Sequence, residues 1–396
     1  EQVKRSLSQA EHKFTDFLHF ISPAAADLLP EMTEVSARIK RRHFGNTVRT
    51  FAPLYISSYC MNNCVYCGFR KSYDYPRRRL SFDEVLNEAR IIRDMGHESL
   101  LLITGQDAKI SPEFTADLIR VLKNDFAYIN IEYYPMTEPS YRKLYEAGCH
   151  GLTIFQETYD PELYPSFHPS GPKANYQFRL NALAEGGKAG FYNLGMGALL
   201  GLNPNWRLEA SNMAVHGLWI RKHFWKSHPQ FSFPRITPTK WGYNVPAPLS
   251  DHDLEQMILA FRLAFHEADL ILSTREKPEF RLRMAESAVS HLSAGSQVDP
   301  GGYQDHLDGK NLGQFALVLL DVKAADPAHR QREQLVDILI GHVATEQVAE
   351  RSQPGMHLGI FFLFALALLD LLVDAVLEEN LGQRLGVEQV LLLGEV

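Results

Sequence analysis

The chain has 396 residues, 45% hydrophobic and 22% charged, which excludes a disordered chain and is long enough to bury one large core with attachments. A formal net charge of -7 without any Lys/Arg-rich run offers no basic field to nucleic-acid phosphate, so nucleic acid is not expected as a partner. Four cysteines, three of them within eight residues, are the wrong spread for a secreted disulfide framework and suit a reducing cytoplasm.

The opening Glu1-Gln2-Val3-Lys4-Arg5 lacks an initiator methionine and an apolar targeting core, so it reads as a truncated or processed start without a signal peptide. Residues 1–46 are expected to form a helical extension, with Phe14, Phe17, Leu18 and Ile21 at helical spacing. From Thr50 the pattern changes to short β-branched or aromatic runs at Thr50 to Tyr59, Ser99 to Ile103, Tyr128 to Tyr134, Gly151 to Phe155, Tyr192 to Leu200, Gln230 to Ile236, Leu270 to Ser273 and Val289 to Leu292. Between the first two lies Ser81-Phe82-Asp83-Glu84, a capping box, followed by Val85, Leu86, Ala89, Ile92 and Met95 on one helical face and by Gly96 as the stop.

Helical patterns recur at Pro112 to Lys123, Glu138 to Ala147, Asn175 to Ala189, Trp206 to Phe224, Asp251 to Phe265 and Pro278 to Ala285. Strands alternating with helices predict an α/β fold, a (βα)8 TIM-type barrel over residues 47–300, closed or nearly so, with a C-terminal segment over 301–396. The apolar run Gly359 to Leu369 is followed by Asp370 and Asp374; it is shorter than a bilayer span and reads as a buried helix, so no membrane is expected as a partner.

Barrel enzymes carry their chemistry at the carboxyl ends of the strands. There the sequence places Cys60 after the first strand, Thr104-Gly105-Gln106 after the second, Gln156-Glu157 at the fourth, Arg235 at the sixth, Arg275 at the seventh and Ser293 at the eighth. The stretch Cys60-Met61-Asn62-Asn63-Cys64-Val65-Tyr66-Cys67 lets one tight loop aim three thiols at one object. Three thiolates suit a four-iron cluster with one iron left open, whereas a structural zinc site wants four ligands. A zinc site completed by His43 and three buried thiols are the alternatives. Cys149, in a helix-to-strand turn, reads as a core residue.

This cysteine spacing after the first barrel strand resembles the radical S-adenosylmethionine (SAM) superfamily. The resemblance implies a radical SAM barrel with a 4Fe-4S cluster on Cys60, Cys64 and Cys67, and SAM chelated by the open iron and cleaved to methionine and a 5'-deoxyadenosyl radical. Over residues 20 to 315 the chain resembles the tyrosine lyases of thiamine biosynthesis, the 2-iminoacetate synthases. The motifs are Phe44-Gly45-Asn46-Thr47-Val48, Leu101-Leu102-Ile103-Thr104-Gly105, Gln156-Glu157-Thr158-Tyr159, Leu194-Gly195-Met196-Gly197-Ala198-Leu199-Leu200-Gly201, Ser232-Phe233-Pro234-Arg235, Leu272-Ser273-Thr274-Arg275-Glu276 and Ser293-Ala294-Gly295-Ser296 with Pro300-Gly301-Gly302-Tyr303.

What that family implies is cleavage of the Cα-Cβ bond of L-tyrosine to 2-iminoacetate and p-cresol, with a thiazole synthase receiving the imine and a flavodoxin- or ferredoxin-like electron donor. Arg275 would anchor the substrate carboxylate, with Ser293 adding a hydrogen bond; a structural ion pair with Glu276 is the alternative for Arg275. Tyr66, Thr104, Gly105, Gln106, Glu157, Arg179 and, more weakly, Arg235 would meet SAM, although Arg179 also reads as a solvated helix residue.

Two departures stand out. Gln106 replaces the carboxylate usual in Thr-Gly-Glu, which removes charge assistance toward the SAM ammonium, and Asp107 is expected to point elsewhere. From about residue 316 a Leu- and Val-rich tail replaces the family's short polar segment. The absence of cysteine after Cys149 disfavours the related lyase of hydrogenase-cofactor maturation, which carries a second cluster. A tryptophan lyase and a cluster- or zinc-stabilised scaffold are the remaining alternatives.

Overall fold

The structure, a computed structural model, describes residues 1–9, 12–237 and 242–307. The apolar run at Gly359 and the atypical tail lie outside the described residues.

Eight parallel strands, β1 (Arg49–Ser57), β2 (Ser99–Thr104), β3 (Tyr128–Glu132), β4 (Gly151–Glu157), β5 (Asn193–Ala198), β6 (His228–Ser232), β7 (Asp269–Leu272) and β8 (His291–Ser293), close into a barrel in sequence order. β1 pairs with β8, Thr50 opposite Leu292, which closes the ring. The helix Phe82–Asp94 starts where the capping box requires: Ser81 Oγ accepts from the Glu84 N–H, and the Glu84 carboxylate accepts from the Ser81 N–H at 2.8 Å.

Differences from the sequence expectation lie at element ends. β6 stops at Ser232 because Pro234, with no N–H, cannot donate to a ladder; Arg235 returns only as an isolated bridge to Leu200. The helix expected over 175–189 is two segments, Tyr176–Leu180 and Ala182–Ala189, meeting at Asn181.

The first forty-odd residues fold as the helices Gln2–Leu7, Phe14–Phe20 and Leu29–Phe44 and pack outside the barrel, where Phe17 meets Phe261 edge-on with centroids 5.0 Å apart. The short helix Gly302–Leu307 docks on Glu88, which accepts from the Tyr303 and Gln304 N–H groups at 3.0 and 2.8 Å, while the Tyr303 hydroxyl donates to the Pro53 carbonyl. The Pro300-Gly301-Gly302-Tyr303 motif is therefore part of the framework. Cys149 is buried, its thiol against the Gly151 and Ile129 carbonyls. No helix among the described residues is long and apolar enough to cross a membrane.

Candidate active site

The loop after β1 brings Cys60, Cys64 and Cys67 to one cavity of about 160 Å³ at the carboxyl ends of the strands. Backbone bonds shape the loop: the Met61 N–H donates to the Gln106 carbonyl at 3.0 Å and the Lys71 N–H to the Asn62 carbonyl at 2.8 Å. Gly105 permits the fit, since a Cβ there would lie 2.3 Å from the Tyr59 carbonyl oxygen. Asn62 ties the loop together. Its side-chain amide donates to the Gln106 side-chain oxygen at 2.8 Å and reaches Cys60 Sγ at 3.5 Å, and its oxygen accepts from the Lys173 N–H at 2.8 Å.

Burial pushes the Cys67 thiol up to about 12 and raises Cys64 as well, so iron must displace protons when it binds. Three soft donors around one hollow fit an iron-sulfur cluster with one iron left open. The proposed zinc ligand His43 is elsewhere, facing Glu267 at 3.9 Å and the ring of His266. Among the described residues no group of three or more His, Cys, Asp or Glu side chains is drawn together closely enough to hold a single metal ion; the three thiols line the hollow without closing on one point.

Tyr66, Thr104, Gly105, Gln106, Glu157 and Arg179 line the same cavity as the thiols. Glu157 ends β4 after a bulge and has φ of 72°, alone among the described non-glycine residues in a positive value. Its carboxylate accepts from Lys173 Nζ at 2.5 Å and lies 3.4 Å from Arg179 Nη2. Burial opposes that charge, but Lys173 and then Arg179 outweigh it and hold the carboxyl below its usual range. Arg179 is buried, with Nε donating to the Phe155 carbonyl at 2.6 Å, which sets aside the solvated-helix alternative.

Tyr66 is buried with its hydroxyl 2.9 Å from His168 Nε2. His168 Nδ1 faces the Tyr164 carbonyl at 2.9 Å and must donate to it, so Nε2 accepts from Tyr66. Burial, then Lys173, lowers His168 to about 3 and keeps it neutral. Asp107 is turned aside as expected, accepting from Arg79 Nε and Nη2 at 2.5 and 2.8 Å and from Ser57 Oγ.

A second cavity of about 600 Å³ occupies the barrel interior. Six residues line both cavities and form their junction: Tyr55, Ile103, Glu132, Phe155, Pro234 and Arg275. Arg275 donates to the Arg235 carbonyl at 3.3 Å. Ser293 lines the larger cavity, where its hydroxyl accepts from the Thr274 N–H at 3.0 Å. The Arg275–Glu276 alternative is not what forms: the Glu276 carboxylate accepts from both Nε and Nη2 of Arg235, and Arg235 Nη1 also meets Asp251 at 2.7 Å and the Leu249 carbonyl. Arg235, a weaker candidate for SAM, lines neither cavity and instead braces the loop bearing Arg275.

Deeper in the large chamber, Asn130 Nδ2 donates to Thr153 Oγ1 and Gln230 Nε2 to Asp269, each at 3.0 Å. The amide oxygens of Asn130 and Gln230 are buried without a partner. Gly195 makes room for the Thr153 hydroxyl, because a Cβ there would lie 2.5 Å from Thr153 Oγ1.

Asn62, Lys173 and Glu132 escaped the sequence reading. Glu132 was within reach of the strand-end rule, since it closes β3; Lys173 lies on the short 3-10 turn Pro172–Ala174, away from any strand end, and carries no such signal.

The profile of the Radical SAM superfamily matches residues 54–214, and that of the Biotin and Thiamin Synthesis associated domain residues 232–335. The 2-iminoacetate synthase of Escherichia coli (strain K12) is 37% identical over 305 residues, 77% of this chain and 81% of that protein. The chain belongs to the 2-iminoacetate synthase family. A second member, from Salmonella typhimurium, is 38% identical over 315 residues, 79% of this chain and 83% of its own length. Among solved structures, the FeFe-hydrogenase maturase HydG from Carboxydothermus hydrogenoformans superposes with a TM-score of 0.75 at 29% identity, covering 86% of this chain and 77% of its own. The three cysteines and every residue lining the smaller cavity lie within these two matched segments.

Proposed function

We propose that this chain is a radical SAM carbon-carbon lyase that cleaves the Cα-Cβ bond of L-tyrosine to 2-iminoacetate and p-cresol, for thiamine thiazole synthesis. The supporting observation is the junction itself: Arg275 stands between the cavity that holds the three thiols and a larger chamber whose wall carries two donor-less buried oxygens. A cluster with SAM, when bound, supplies one-electron cleavage of SAM and a hydrogen-abstracting 5'-deoxyadenosyl radical.

Cys60, Cys64 and Cys67 would hold the cluster. Tyr66, Thr104, Gly105, Gln106, Glu157 and Arg179 would surround SAM in the same cavity. Arg275 holds the tyrosine carboxylate in its guanidinium fork, aided by Ser293. The aromatic ring then extends into the 600 Å³ chamber, where the phenolic O–H donates to the amide oxygens of Asn130 or Gln230. Both amides have their nitrogens already engaged, so the free groups are acceptors, the complement of a hydroxyl.

The thiols require a reducing compartment, which supports a cytoplasmic location. The chemistry also calls for a flavodoxin- or ferredoxin-like electron donor and, for the unstable imine, a thiazole synthase. The test is anaerobic reconstitution with SAM, reductant and tyrosine, followed by chromatography for p-cresol and 5'-deoxyadenosine. Both are expected. Deoxyadenosine without p-cresol from tyrosine, but with cleavage of tryptophan, would replace the substrate assignment.

A further inference from the structure

At the junction of the two chambers the fold brings a carboxyl and a guanidinium to the same wall: Glu132, the last residue of β3, and Arg275, from the loop after β7, each line both cavities. The other carboxylates of this region are already engaged, Glu157 by Lys173 and Arg179, Asp107 by Arg79, and Glu276 by Arg235. Among the described residues Glu132 makes no ion pair. It feels charge from its neighbours without a direct bond: Tyr55 of β1, Glu157 of β4, Lys173 and Arg179 beyond β4, and Arg275.

An amino acid near neutral pH enters such a site as a zwitterion, and its two charges match this pair. A guanidinium takes the carboxylate, so the ammonium is left facing the carboxyl. An ammonium nitrogen has no lone pair to stabilise a nitrogen-centred radical, whereas a neutral amine does. A hydrogen atom can be taken from nitrogen with ease only after one proton has gone.

Resting on the tyrosine-lyase reading, we propose that Glu132 binds the substrate ammonium and removes one proton from it, delivering the neutral amine to the radical step. In this transfer one N–H bond breaks, one O–H bond forms on the Glu132 carboxylate, the electron pair stays on nitrogen, and no electron changes owner. The hydrogen atom lost next comes from that neutral nitrogen. Burial, followed by Glu157, raises the Glu132 carboxyl to about 7, against the lowering influence of Arg275, Lys173 and Arg179. A base tuned there is matched to work near neutrality.

The experiment is a pH profile of p-cresol formation by reconstituted holoenzyme at saturating tyrosine, comparing wild type, Glu132→Gln and Glu132→Asp. Wild-type kcat is expected to rise with pH through about 7, as the base loses its proton. E132Q should lose about 100-fold in kcat and show no such rise, while keeping the visible absorbance of the cluster. E132D should recover at least about tenfold over E132Q and regain a displaced rise. E132Q that retains wild-type kcat, or the same rise, overturns the proposal. So does an E132D variant that holds its cluster but behaves as E132Q does. A wild type that yields deoxyadenosine without p-cresol defeats the tyrosine reading itself and this assignment with it, a result distinct from an active wild type whose E132Q variant is equally active.

Discussion

Lys173 Nζ lies 2.5 Å from Glu157 Oε1, and both side chains are almost wholly buried beside the three thiols. The pair bridges a short 3-10 turn and a strand end 16 residues apart. Glu157 has a second partner in Arg179, so a fixed carboxylate is presented at the cavity wall.

Removal of one partner leaves buried charge uncompensated. Lys173→Met is expected to destabilise the protein by about 3 kcal/mol, read as a lower urea midpoint at unchanged slope. The Glu157 carboxyl is depressed in the folded chain, so its stabilisation is present above the unfolded value near 4.3 and lost as pH falls through the folded value. In K173M the depression shrinks, and acid unfolding should begin at higher pH than in wild type. Unchanged acid stability would show that Arg179 alone sets the charge of Glu157.

Cys67→Ala separates cluster binding from folding. The thiol is neutral and partly apolar in its contacts, so the cluster-free protein should lose no more than about 1 kcal/mol in a denaturant titration. The same variant should fail to gain visible iron-sulfur absorbance on anaerobic reconstitution. Retention of full absorbance and iron content by C67A would remove Cys67 from the ligand set.

Gln106 accepts from Asn62 in the cavity wall. Gln106→Glu would keep that acceptor and add a charge toward the SAM ammonium, so SAM should bind about fivefold tighter in equilibrium dialysis of the reconstituted protein. Equal or weaker binding would show that position 106 serves the loop and not the ligand.

The phenol contact can be read through specificity. Asn130→Leu removes one donor-less oxygen from the chamber at similar volume, and kcat/KM for tyrosine should fall about 10- to 100-fold, while competitive binding of phenylalanine holds or improves. Equal losses for both amino acids would point to chamber packing through Thr153 instead.

What the sequence determined by itself is local or periodic. The grouping of the three thiols was legible because one short loop carries all three, and the barrel because strand and helix periods alternate along the chain. Glu157 and Arg275 were legible because strand ends in a closed parallel barrel converge on one face. Tertiary structure alone decided how charges are shared among them. Glu276 adjoins Arg275 in the sequence, yet it goes to Arg235, 41 residues away, and Arg275 stands at the chamber junction. Lys173 became part of the site only because its 3-10 turn packs on Asn62. Glu132 acquired its character from burial and from the charges of β4 and the loop after β7. Such properties depend on distance and desolvation across segments far apart in the chain, and residue type and spacing encode neither.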